Sequence, residues 1–179
     1  MLYLYEINIE YIKKLNSADH KVHYDISDTY DRKPYIGIVF SIKNYLYLIP
    51  LSSPKSKHEK MRNTLDFHKI EDDDNFMGVL NINNMVPVFD HPEIIKKINI
   101  EKKYLNSSND DDAAYGLLLA NQVSVLNSNT ERSTIKDKAK KLYTQYNDNT
   151  LAINVRNRTN NFKKLEKEVD IFKKDLDKS

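Results

Sequence analysis

The chain has no cysteine, no tryptophan, only three glycines and five prolines, and no long apolar run. Without cysteine there are no disulfides, no thiolate nucleophile and no cysteine-based zinc site, a composition that a reducing cytoplasm tolerates easily. Scarce glycine, with neither G-x-G-x-x-G nor G-x-x-x-x-G-K-S/T, sets aside dinucleotide and NTP chemistry. The longest apolar runs fall far short of the ~20 residues a membrane helix needs. Glu6 and Glu10 interrupt the N-terminal "MLYLYEINIEYIKKL", where a secretory signal would be continuous. The expectation is a soluble, cytoplasmic protein that uses no membrane.

What remains is globular: 179 residues, 40% hydrophobic, 10% aromatic and 30% charged. That length suits one domain with one core. A net charge of +2 does not identify a partner, because phosphate binding depends on local clusters of cations rather than on the total.

The first half has the pattern of strands. "LYLYEINI" (2–9) alternates, while "YIGIVF" (35–40) and "YLYLIPL" (45–51) are β-branched and aromatic around a Lys43-Asn44 turn. "MGVLNI" (77–82) and "MVPVF" (85–89) form a second expected pair around Asn83-Asn84. Strands so short and so close in sequence favour antiparallel pairing, since parallel neighbours need a crossover. The second half changes period. Tyr115, Leu118, Leu119, Gln122, Val123 and Leu126 predict one amphipathic helix. Ile135, Ala139, Leu142, Tyr143 and Tyr146 predict another, capped by Ser133 or Thr134. Phe162, Leu165, Val169, Phe172 and Leu176 follow a heptad-like seam, which suits a helix packed on the sheet or a surface for a partner. The chain is therefore expected to be α+β: one domain over 1–179, β-rich in 1–90 and helical in 94–178. The acidic runs "EDDD" (71–74) and "NDDDA" (109–113) lack calcium-loop spacing and are expected to be solvated loops.

The segment "LSSPKSKH" (51–58) leaves the second strand through two hydroxyls, a proline and a group of cations. Pro54 biases Ser53 to extended backbone. Alternation then aims Ser53 and Lys55 to one side, with Ser52 and Pro54 to the other. Ser52-x-x-Lys55 formally matches the S-x-x-K of acyl hydrolases, but that motif needs a helical turn and companion motifs absent here. Two readings remain open: a solvated strand end, or a site where a hydroxyl and a fixed cation meet a phosphodiester. Lys57, Lys60, Arg62 and Lys69, with His58 and His68, gather charge nearby, opposed only by Glu59 and Asp66. Tyr11, Tyr24, Tyr30 and Tyr35 lie upstream and could stack bases or fill the core. Arg32 and Lys33 directly precede "YIGIVF". With RNA as ligand, the 2′-hydroxyl already lies beside the phosphorus, so alignment and electrostatic stabilisation suffice and neither metal nor cofactor is expected.

The segments "YIKKLNSADHKV", "DTYDRKPYIGIVFSIKNYLYLIPLSSPKSKH" and "FMGVLNINNMVPV" together resemble the ToxN/AbiQ endoribonuclease toxins of type III toxin-antitoxin and phage abortive-infection systems. The resemblance is specific over residues 1–90 and looser across the helical half. It implies a compact, strongly bent antiparallel sheet or partial barrel, like that of the MazF/Kid toxins, with surrounding helices in the C-terminal half. It further implies metal-independent RNA cleavage leaving a 2′,3′-cyclic phosphate and a 5′-hydroxyl. Inhibition by a repeated RNA pseudoknot, often within an oligomeric protein-RNA ring, is implied as well. Carried over by residue, the active hydroxyl falls on Ser53, the adjacent hydroxyl on Ser52 and the catalytic lysine on Lys55. RNA contacts fall on Tyr11, Tyr30 and Lys33, with His58 kept as an RNA contact; Arg32 and Lys57 are added as RNA contacts from the local cluster of cations. A module that sequesters RNA without cutting it, or a protein-directed poison on a related barrel, would need much the same surface.

Overall fold

The computed structural model describes residues 1–24, 33–73 and 75–176. Two of the expected RNA contacts, Tyr30 and Arg32, lie outside these residues. Helices and short strands divide the chain much as its periodicities suggest: β1 (Tyr3–Ile7), α1 (Ile9–Ala18), β2 (Tyr35–Ile42), β3 (Tyr45–Ser52), the single turn α2 (Ser56–Glu59), β4 (Phe67–Glu71), β5 (Phe76–Asn81), a 3₁₀ turn (Ile82–Asn84), β6 (Val86–Val88) and β7 (Ile95–Lys97). A π-helical turn (Glu101–Leu105) leads into α3 (Asp110–Leu126), α4 (Asn129–Asn147), α5 (Ile153–Arg158) and α6 (Phe162–Leu176).

The seven strands form one antiparallel sheet that does not close, in the order β4-β5-β3-β2-β1-β7, with β6 beside β3. β3 is the centre of this arrangement. Its first half, Leu46 to Leu48, pairs with β6, and its last two residues, Leu51 and Ser52, pair with Leu80 and Val79 of β5. The expected hairpin between 77–82 and 85–89 therefore does not form. The 3₁₀ turn redirects the chain, so that β5 and β6 occupy successive stretches of the same β3 edge. The turn between β2 and β3 does form at Lys43-Asn44, with Lys43 in left-handed backbone at φ 53°.

Helix α1 begins inside the alternating run 2–9, whose strand ends at Ile7. The Asn8 side chain accepts hydrogen bonds from the backbone N–H of Glu10 and Tyr11, at 2.8 and 3.2 Å, and ends the strand by capping a helix. Ile9, Tyr11, Ile12 and Leu15 then turn inward. The "NDDDA" run is likewise not a loop. Asp110, Asp111 and Asp112 occupy the first turn of α3, where carboxylates favour the helix dipole, and Asn109 caps them. In "EDDD", Glu71 ends β4 and pairs with Lys69 at 2.5 Å, while Asp72 accepts the Asn75 N–H at 2.8 Å in a turn. The cap of α4 is Ser128, whose Oγ accepts from Glu131 N at 3.3 Å, rather than Ser133 or Thr134.

The seam of α6 packs inward: Phe162, Leu165 and Val169 are fully buried. Each such side chain contributes about 1.5–3 kcal/mol relative to exposure. Between this helix, β3 and α4 lies a buried polar joint. Tyr47 and Tyr143 both donate their hydroxyls to Glu166 Oε1 at 2.7 Å, and Tyr45 donates to Asp170 at 2.8 Å. A second joint ties β4 to α4, with His68 Nε2 donating to Glu131 at 2.6 Å and accepting a bond from Lys138 at Nδ1, 3.2 Å. Among the described residues no helix is long and apolar enough to cross a membrane.

Candidate active site

The β2–β3 hairpin positions the site. Its open end brings Lys33-Pro34 beside Leu51-Ser52: Tyr35 pairs with Pro50, and Leu51 N donates to Pro34 O at 2.9 Å. β5 approaches the same end very closely. At Gly78, in a backbone conformation (φ 143°) that L side chains rarely adopt, a Cβ would overlap the Ser52 carbonyl and sit 2.8 Å from Gln122 Nε2. Gln122, almost fully buried, donates Nε2–H to Met77 O at 2.6 Å, which anchors β5 to α3. Asn81 completes the frame by donating its Nδ2–H to Ser52 Oγ at 3.1 Å. With an incoming bond on its oxygen, the Ser52 hydroxyl keeps its own proton available for donation.

Beyond Ser52 the chain leaves the sheet. Ser53 and Lys55 are exposed, Lys55 has extended backbone (φ −137°, ψ 139°), and its carbonyl accepts the His58 N–H at 2.8 Å to start α2. Ser53 and Lys55 line one cleft of about 310 Å³, together with Ser52, Lys33, Pro34 and Leu51 of the hairpin, His23 and Tyr24 beyond α1, and Tyr115 of α3. Ser52 thus shares the cleft with Ser53, contrary to the strict alternation read from sequence. That alternation ends with β3 at Ser52, and the departing chain brings both hydroxyls to the same side. No carboxylate lines this cleft among the described residues, so its formal charge is cationic, from Lys33 and Lys55.

Other expected residues lie elsewhere. Tyr11 is 1% exposed, its hydroxyl donates to Pro87 O at 2.9 Å, and its ring packs edge-on against Phe172 and Phe89. It is a core residue and is corrected as an RNA contact, because an amphipathic helix turns it inward. Tyr35 is buried as well. Lys57 and His58 face a second cavity, which Asn81 also lines. Tyr115 was legible only as part of a helical stripe, yet it lines the cleft and meets Tyr104 edge-on at 5.4 Å. Burial raises its pKa, so it presents a neutral phenol. His23 carried no signal in its own neighbourhood, since only the tertiary fold brings it to the hairpin.

A family model described as toxin ToxN of type III toxin-antitoxin systems matches residues 3–170. An endoribonuclease ToxN of Bacillus thuringiensis subsp. kurstaki is 33% identical over 138 residues, or 76% of this chain. The match spans 64% of that relative's length. One solved structure, from work on selective toxin inhibition by a non-coding RNA pseudoknot in type III systems, superposes with a TM-score of 0.76 at 27% identity, covering 96% of this chain and 98% of the other. The structure of AbiQ, a lactococcal anti-phage endoribonuclease, superposes with a TM-score of 0.81 at 20% identity, covering 97% and 99%, and establishes the shared fold.

Proposed function

We propose that this chain, which belongs to the ToxN family of type III toxin-antitoxin toxins, is an endoribonuclease toxin whose active site is the cleft at the open end of the β2–β3 hairpin. The observation that carries this reading is the convergence of Ser52, Ser53, Lys55 and Lys33 on one cleft without a lining carboxylate among the described residues. A phosphodiester seated there meets two ammonium groups and two hydroxyls. The RNA's own 2′-oxygen attacks the adjacent phosphorus, the bond to the 5′-oxygen breaks, and the products are a 2′,3′-cyclic phosphate and a 5′-hydroxyl. Lys55 and Lys33 offset the charge building on the non-bridging oxygens, and Ser53 holds or relays a proton at the reacting oxygens. Ser52, oriented by Asn81, supplies a further donor. Tyr24 and Tyr115 offer ring faces for unpaired bases.

The substrates are cellular or phage transcripts, and the natural inhibitor is a repeated pseudoknot RNA bound in an oligomeric protein-RNA complex, acting in the cytoplasm during phage infection. The test is direct. Ser53→Ala protein should fold like the parent, fail to arrest growth and leave RNA uncut in EDTA, while Lys55→Ala should lose about 10²–10³-fold in rate. Wild-type cleavage by Ser53→Ala would remove that hydroxyl from the mechanism. RNA retained by the parent protein but never cut would instead identify a sequestering module, which product-end analysis distinguishes.

A further inference from the structure

We infer that the second cavity, about 500 Å³ and lined by Lys57, His58, Met61, Arg62, Phe67 and Asn81 among others, is a recognition pocket for one unpaired nucleobase next to the scissile phosphate. The inference rests on the RNA-cleaving reading of the neighbouring cleft and adds to it a determinant of sequence preference.

Three observations carry it. The first is continuity: Asn81 lines this cavity and donates to Ser52 Oγ at 3.1 Å, so one side chain separates it from the catalytic cleft. A strand of RNA with its phosphate at Ser52 has its next nucleotide within reach of the cavity mouth. The second is the lining. Met61 exposes 44% of its surface and Phe67 supplies an aromatic edge, giving apolar walls to a base, while Lys57 and Arg62 offer cations to the flanking phosphates. The third is an unmet hydrogen bond. His58 is 9% exposed, packs edge-on against Phe67 at 5.9 Å, and has an Nδ1 with no partner among the described residues. Nδ1 is shielded from solvent, and a turn of the ring into the cavity brings it to the edge of a base, which supplies the partner a buried polar atom calls for. Burial, then Lys57 and Lys55, lower the His58 pKa and keep the ring neutral, as suits reading a base rather than binding phosphate. Asp66, Arg158 and Asn83 also line the cavity and are tied to one another: Arg158 donates to Asp66 through Nε and Nη2 at 2.6 and 3.1 Å, and Asn83 Nδ2 donates to Arg158 O at 2.8 Å.

The test uses the full chain and a short single-stranded RNA, together with its uncleavable 2′-fluoro counterpart carrying 2-aminopurine at successive positions. Binding should quench the fluorophore strongly at one position beside the cut. Met61→Ala, an exposed change that spares the core, and His58→Leu should each abolish that position-specific quench. In cleavage of a randomised RNA pool both should lower base discrimination at that position by about tenfold. An RNA abasic there should be cut equally by parent and variants. Cleavage with quenching alike at every position, or variants that keep full discrimination, would overturn the pocket and leave the nuclease intact. Uncut RNA with a position-specific quench that Met61→Ala removes would instead uphold the pocket and defeat the nuclease reading.

Discussion

Asp66 shows how a single side chain can be misjudged from its neighbours in sequence. Among lysines and histidines it counts as one of two opposing charges near the basic run, yet in the fold it is 3% exposed and committed to Arg158, 92 residues away. Burial pushes its pKa up, but the bonds from Arg158 and Thr64 outweigh that, and the net shift is downward. A carboxyl with a lowered folded pKa stabilises above its unfolded value, here 3.8, and the contribution is lost as pH falls through the folded value. Asp66→Asn should therefore cost about 1–3 kcal/mol at neutral pH by urea unfolding. The gap to the parent should narrow below about pH 4; a gap independent of pH would show that the ion pair contributes nothing. Ser52 and Ser53 were legible as a pair because proline and lysine follow them, and the role of Asn81 behind Ser52 was not, since 29 residues separate them.

Among the elements, the β2–β3 hairpin was legible because β-branched and aromatic runs flank a polar turn, and the direction of each strand follows. β4 was not. "FHKIE" carries two basic residues and an acid, and only tertiary packing, including α4 against His68, buries Phe67, His68 and Ile70. β5 is legible as a strand but its partner is not, because proximity in sequence to β6 favours a hairpin while the 3₁₀ turn sends both strands to β3. The close approach of β5 to the exit of β3 gives a test. Gly78→Ala places a Cβ against the Ser52 carbonyl and should cost about 1–3 kcal/mol in stability. Displacing Ser52 and Ser53 by even part of an ångström should lower cleavage by up to about 100-fold. Thermal melts and single-turnover rates on one preparation measure both; full activity would show that β5 does not hold the site in place.

Across the whole molecule, the Glu166 joint couples the sheet to α4 and α6. The carboxylate accepts from Tyr47 and Tyr143, whose pKa values are raised by burial first and by Glu166 next. Their neutral forms are the ones the fold holds, so this stabilisation is complete below their ordinary value of 10.0 and is lost as pH rises beyond it. Alkaline unfolding should begin above about pH 10, with the share of tyrosinate absorbance that comes from Tyr47 and Tyr143 appearing only as the chain unfolds. Glu166→Ala leaves two buried hydroxyls without an acceptor and should cost about 3 kcal/mol in urea unfolding; an unchanged midpoint would mean that water replaces the carboxylate at no cost. The sequence by itself determined the two periodicities, the hairpin and the hydroxyl-proline-lysine exit, because backbone preference and side-chain alternation act over a few residues. The partners of β3, the inward turn of Tyr11, and the meeting of Lys33, Tyr115 and His23 with the two serines were decided only by tertiary structure. Those contacts join segments tens of residues apart, and burying the core sets which of them meet.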